Sequence, residues 1–93
     1  MFYSDPPCPG CHGQGVLGFR MCSDQETLVL MCDECDAIWP RPGEATTVPA
    51  RFARSPEYVI EGLGVSVMPP ASRWATREEI ESNGWGAYIA GEL

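Results

Sequence analysis

Four cysteines in two CxxC pairs constrain this chain more than anything else in it. Cys8-Pro9-Gly10-Cys11 is followed, after 20 intervening residues, by Cys32-Asp33-Glu34-Cys35. Two cysteines at this spacing can aim both sulfurs at one ion if the backbone turns tightly between them. Two such knuckles facing each other complete a tetrahedral four-thiolate site, with Zn–S bonds of about 2.3 Å. Gly10 suits the first turn because glycine tolerates positive φ, and Pro9 pre-sets one φ angle. The expected metal is one structural Zn²⁺ held by Cys8, Cys11, Cys32 and Cys35. All four positions are thiolates, so no coordination place is left for a catalytic water.

The residues between the knuckles fit a hairpin. Val16–Cys22 and Thr27–Met31 are strand-like, and Ser23-Asp24-Gln25-Glu26 is a polar turn. Ala37-Ile38-Trp39 is expected to return as a third strand, with Trp39 covering the hairpin or, alternatively, stacking on a base or anchoring a partner. Disulfides compete with the metal for the same cysteines. The count of five and the lack of an export-type N-terminus favour reduced thiols and a cytoplasmic protein. Cys22 reads as a small buried hydrophobe. His12 follows Cys11 directly and reads as a surface residue of the knuckle, with a ligand role as the alternative.

The run Cys8-Pro9-Gly10-Cys11-His12-Gly13-Gln14-Gly15 resembles the CxxCxGxG element in the zinc-binding region of DnaJ-type chaperones. The resemblance covers eight of 93 residues. It implies the knuckle geometry and a ligand role for Cys8 and Cys11. The second pair lacks the following glycines, there are two pairs rather than four, and no J domain is present. The whole chain resembles small bacterial zinc-ribbon proteins of mostly unassigned function.

The expected fold is a small α+β protein: an N-terminal zinc ribbon over residues 1–39, a linker over 40–50, and a strand-and-helix appendage over 51–93 that packs on the ribbon. Met1–Pro7 reads as a lead-in whose Phe2 and Tyr3 pack on the ribbon. Ser55-Pro56-Glu57 resembles a helix start, although Tyr58-Val59-Ile60-Glu61 is β-branched enough for a strand. Val65–Met68 alternates like a strand stopped by Pro69-Pro70. Thr76-Arg77-Glu78-Glu79 is a capping box opening a short helix that Asn83-Gly84 ends. Trp85–Ile89 reads as a last strand or an extended tail.

Charge bears on partners. Thirteen acidic residues face six basic ones, all arginine, for a formal charge of −7. A four-thiolate divalent site would lower this by a further two. A nucleic-acid binder normally carries a basic stripe, so autonomous nucleic-acid binding is not expected. An acidic surface suits a basic protein partner. No apolar run is long enough to span a membrane, and no nucleophile–base pair suggests an enzyme: Cys22 with His12 lacks a third group. The expected function is a protein-interaction module, most concretely an immunity- or antitoxin-type inhibitor of a basic toxin such as a nuclease. The alternatives are an accessory subunit of a nucleic-acid machine, using Arg41, Arg51, Arg54 and Trp39, and a DnaJ-like zinc chaperone or redox accessory.

Overall fold

The computed structural model describes residues 1–93 as eight short strands and one helix. These are β1 (Phe2–Ser4), β2 (Leu17–Met21), β3 (Leu28–Cys32), β4 (Ile38–Trp39), β5 (Ala53–Arg54), β6 (Val59–Ile60), β7 (Arg73–Trp74), α1 (Arg77–Ser82) and β8 (Gly91–Glu92). The architecture is α+β, built around the hairpin expected between the cysteine pairs.

Side-chain alternation along that hairpin creates two apolar faces. In the β2–β3 register Leu17 lies opposite Cys32, Phe19 opposite Leu30 and Met21 opposite Leu28. These six share one face, where Trp39, Ala45, Ala75 and Ile80 close over them. Val29 and Ile38 point the other way and meet Cys22, Ile60 and Val67. β3 is thus covered on both sides, which is why Leu28-Val29-Leu30-Met31-Cys32 is an unbroken apolar run rather than an alternating one. Fully burying each of the larger side chains stabilises the fold by about 1.5–3 kcal/mol.

The main sheet has the order β4-β3-β2-β1-β8. All its pairings are antiparallel. β1 and β7 divide one edge of β2 between them: β1 pairs at Leu17 and Gly18, and β7 at Arg20 and Met21. Met1–Pro7, expected as a lead-in, therefore includes a strand. β1 in turn pairs with β8, Phe2 opposite Glu92, which brings the ends of the chain together. β5 and β6 form a separate two-stranded ribbon over the second face.

Residues 40–50 turn back onto the sheet. Ala45 is buried in the first core, and the Trp39 indole N–H donates to the Val48 carbonyl at 3.0 Å. The Ser55-Pro56 helix start is not used. Residues 55–58 turn instead, with Tyr58 at φ 53°, and Ile60 is buried against the sheet. The strand alternative holds, at Val59–Ile60. Over 65–68 only Ser66 pairs, as an isolated bridge to Val59. Pairing beyond it stops before Pro69-Pro70. Trp85–Ile89 is a single 3₁₀ turn (Gly86–Tyr88), and the last strand comes later, at β8.

The helix is as expected. Thr76 Oγ1 accepts from the Glu79 N–H at 3.2 Å, and the Glu79 carboxylate accepts from the Thr76 N–H at 2.9 Å. At six residues, α1 cannot stand alone. Ile80 fixes it to the core, and Trp85 packs beside Phe19 with ring centres 6.4 Å apart. No helix of the protein is long and apolar enough to cross a membrane.

Candidate metal centre

The four cysteines of the two CxxC pairs converge. Their sulfurs all lie within 4.8 Å of one another. Cys8 and Cys35 are 3.7 Å apart, Sγ to Sγ, and so are Cys11 and Cys32. A tetrahedron with metal–sulfur bonds of about 2.3 Å has an edge of about 3.8 Å. The sulfurs are thus spaced as corners around one ion and far outside the roughly 2.05 Å of a disulfide. All five cysteines are free.

Each knuckle is held by its own backbone. After Cys8 the chain makes a 3₁₀ turn over Pro9–Cys11 with proline at its start. The Cys8 N–H donates to the Gly15 carbonyl at 2.9 Å, and the Gly13 N–H to the Cys8 carbonyl at 2.8 Å. Positive φ falls at His12 (58°) and Gly13 (79°). The expectation that Gly10 would carry it is corrected: the 3₁₀ turn keeps Gly10 on the ordinary side, and the reversal comes after the second cysteine. Cys32 ends β3, and its N–H donates to the Ala37 carbonyl at 2.9 Å, with Asp36 at φ 62° closing the turn.

Backbone N–H groups point at two of the sulfurs. Gly15 donates to Cys11 at 3.3 Å, Glu34 to Cys32 at 3.3 Å and Cys35 to Cys32 at 3.4 Å. The knuckles are also tied to each other: Val16 N–H donates to Asp33 Oδ1 at 2.9 Å, and Asp33 N–H to the Val16 carbonyl at 3.1 Å.

Cys8 and Cys32 are fully buried and belong to the first core, with Cys11 and Cys35 packed against it. Burial, aided by the Cys32 thiol, pushes the Cys8 thiol up to about 12. A metal ion held by these sulfurs would supply the positive charge that displaces this proton. The donor set of four sulfurs, two of them sealed in the core, fits a closed structural site.

Cys22 and His12 stay out of the cluster. Cys22 is fully buried in the second core, where burial first, and then Asp24, push its thiol up to about 11. His12 is exposed on the outside of its knuckle. Trp39 is only 2% exposed, so its ring covers the hairpin and offers no face for stacking. Arg41 and Arg54 face Glu44 and Glu61, and Arg51 donates to the Glu61 carbonyl at 3.1 Å. The middle of the chain is basic in sequence but largely neutralised in space.

One feature escaped the sequence reading. Cys32 and Cys35 also border a cleft of about 570 Å³ on the second face of the sheet, walled by Phe52, Tyr58, Met68 and Trp74. Its lining comes from stretches far apart in the chain, so no local pattern marks it.

The chain matches no protein-family model, and comparison with curated proteins and with solved structures returns no match.

Proposed function

We propose that this protein is a zinc-stapled, non-catalytic interaction module whose partner is a basic protein. The observation that carries the reading is the burial of Cys8 and Cys32 inside the main hydrophobic core. A metal placed there replaces part of the core that 93 residues cannot supply. A tetrahedral four-sulfur donor set selects zinc, with iron as the chemical competitor. Four thiolates leave no open position on the ion, which supports a structural over a catalytic role.

Charge supports the partner class. Four of the six arginines sit in ion pairs, with Glu44, Glu61, Glu79 and Glu81. Nine carboxylates have no arginine partner, so the surface field is negative and favours encounter with a positive surface. Less supports the nucleic-acid alternative, since Trp39 is buried and the central arginines are engaged. The most concrete form of the reading is an immunity- or antitoxin-type inhibitor of a basic toxin, which small size, acidity and a rigid scaffold all suit.

The test is affinity capture by the metal-loaded protein from its host, with mass spectrometry of the retained proteins and of the bound metal. One zinc per chain and one dominant basic partner are expected. If that partner is a toxin, its activity should fall at equimolar addition. Retention of polymerase, ribosome or nucleic acid in place of a basic protein would reject the reading. A red, iron-loaded product would reject zinc and keep the staple.

A further inference from the structure

The cleft beside the metal centre has a defined chemistry. Val67 is buried at its floor, and Phe52, Tyr58 and Met68 stand on its rim at 47%, 45% and 36% exposure. These three are half of the six large apolar side chains that the surface leaves exposed, so exposed apolar area is concentrated here. Trp74 adds an aromatic wall. The volume falls within the range of about 300–1,000 Å³ typical of ligand-binding clefts.

The polar lining is unequal in sign. Arg20 is the one basic side chain in it, and part of its guanidinium is held by the chain itself. Its Nε donates to Ser72 Oγ at 2.9 Å, its NH2 to the Ser72 carbonyl at 3.2 Å, and its face lies 4.8 Å from the centre of the Trp74 ring. Against it stand Asp33 and Asp36. Asp33 uses one oxygen on Val16, and Asp36 is in no ion pair. Cys32 and Cys35 border the same cleft, and with a divalent ion bound the four-thiolate unit beside it would carry a charge of −2.

We infer that this cleft docks a segment of the partner in which a lysine or arginine stands within three residues of a large apolar side chain. The inference rests on the binding-module reading above and gives it a face. The apolar residue packs among Phe52, Tyr58 and Met68. The cation lies near Asp36, which is in no ion pair, beside the half-buried Cys35. Two carboxylates, Asp33 and Asp36, against the single guanidinium of Arg20 make the lining net negative, which disfavours an acidic segment.

Titration of ¹⁵N-labelled, zinc-loaded protein with the blocked pentapeptide Gly-Arg-Leu-Lys-Gly tests this, followed by amide shifts. Binding at or below the order of 1 mM is expected, with shifts at Asp33–Asp36, Phe52–Tyr58 and Val67–Met68. The same peptide with glutamate in place of both cations should not bind, nor should the form with serine for leucine. Phe52→Ser should weaken binding at least about fivefold and Asp36→Asn about threefold, each with zinc content and far-ultraviolet dichroism unchanged. Asparagine tolerates the left-handed backbone at position 36, so the second variant tests charge rather than folding. Shifts confined to another face, equal binding of the acidic peptide, or two well-folded variants that bind normally would each overturn the proposal. Partner capture repeated with Phe52→Ser separates the two readings: a basic partner retained undiminished refutes the cleft and leaves the binding module standing.

Discussion

Gly15 stands so close to the Cys32 sulfur that no β-carbon fits between them. A Cβ at position 15 would also lie 3.0 Å from Glu34 Cβ and 3.1 Å from Asp33 Oδ1. The glycine is needed for space rather than for φ, since its backbone is not in the left-handed region. Gly15→Ala should therefore push the second knuckle away from the first and cost about 1–3 kcal/mol as local overpacking. Gly10→Ala is the contrast: its new methyl would meet nothing nearer than 3.5 Å. Competition with a zinc chelator should show a clear loss of affinity for Gly15→Ala and little for Gly10→Ala. Equal affinities would show that the two knuckles approach each other differently.

The core position of the ligands makes a second prediction. Cys32→Ser or Cys11→Ser should unfold the protein, because losing one ligand removes much of an apparent zinc contribution of about 10–16 kcal/mol. Cys22→Ser should keep one metal per chain and lose about 1–3 kcal/mol, the cost of a buried hydroxyl without a prepared partner. Metal stoichiometry with far-ultraviolet dichroism checks both. A folded, metal-free Cys32→Ser protein would remove the structural role of the site.

What the residues revealed in advance follows from how locally each feature is encoded. The knuckles, the hairpin and the capping box of α1 depend on spacings of two to about twenty residues, and each was legible. β1, β7 and β8 are two or three residues long, too short for a period to show. Two of their pairings join residues far apart in the chain, Arg20 with Trp74 and Phe2 with Glu92. At 55–61 a good local helix start lost to tertiary pairing, because Ile60 gains more from burial against Val29 and Ile38 than a short exposed helix could return. The cleft was illegible for the same reason as the short strands: Trp74 and Asp36 become neighbours only once β7 and β3 join the same sheet.

Cysteine reactivity should report how far the metal holds the whole fold. In the loaded protein at pH 7.5, iodoacetamide should modify no cysteine rapidly: four are metal-bound, and Cys22 is buried with its thiol pushed up to about 11. Cys22 also closes the hairpin, its N–H donating to the Thr27 carbonyl at 2.9 Å. Chelation should therefore expose five reactive thiols and not four, because the sheet carrying Cys22 is the one that ends in Cys32. Mass spectrometry of the alkylated chain counts them. A stable product with four modified cysteines would mean that the sheet survives without the metal.

The acid limb of stability should carry the signature of Glu79. Its carboxylate takes two hydrogen bonds from the Arg73 guanidinium, at 2.8 and 2.7 Å, and one from the Thr76 N–H. Arg73 first, then the Thr76 backbone, hold Glu79 at about 2, below its ordinary 4.5. Because the folded value is depressed, the stabilisation is complete above the unfolded value near 4.5 and is lost as pH falls from there towards 2. The side chain is 25% exposed, so screening leaves about 1 kcal/mol for the pair and its cap. Glu79→Gln should melt several degrees below the parent at pH 7, and the gap should narrow as pH drops below 4.5. The comparison of the two proteins matters here, because the thiolates also gain protons in acid and weaken the metal in both. A gap that stays constant down to pH 3 would mean that Glu79 acts through packing and not through its charge.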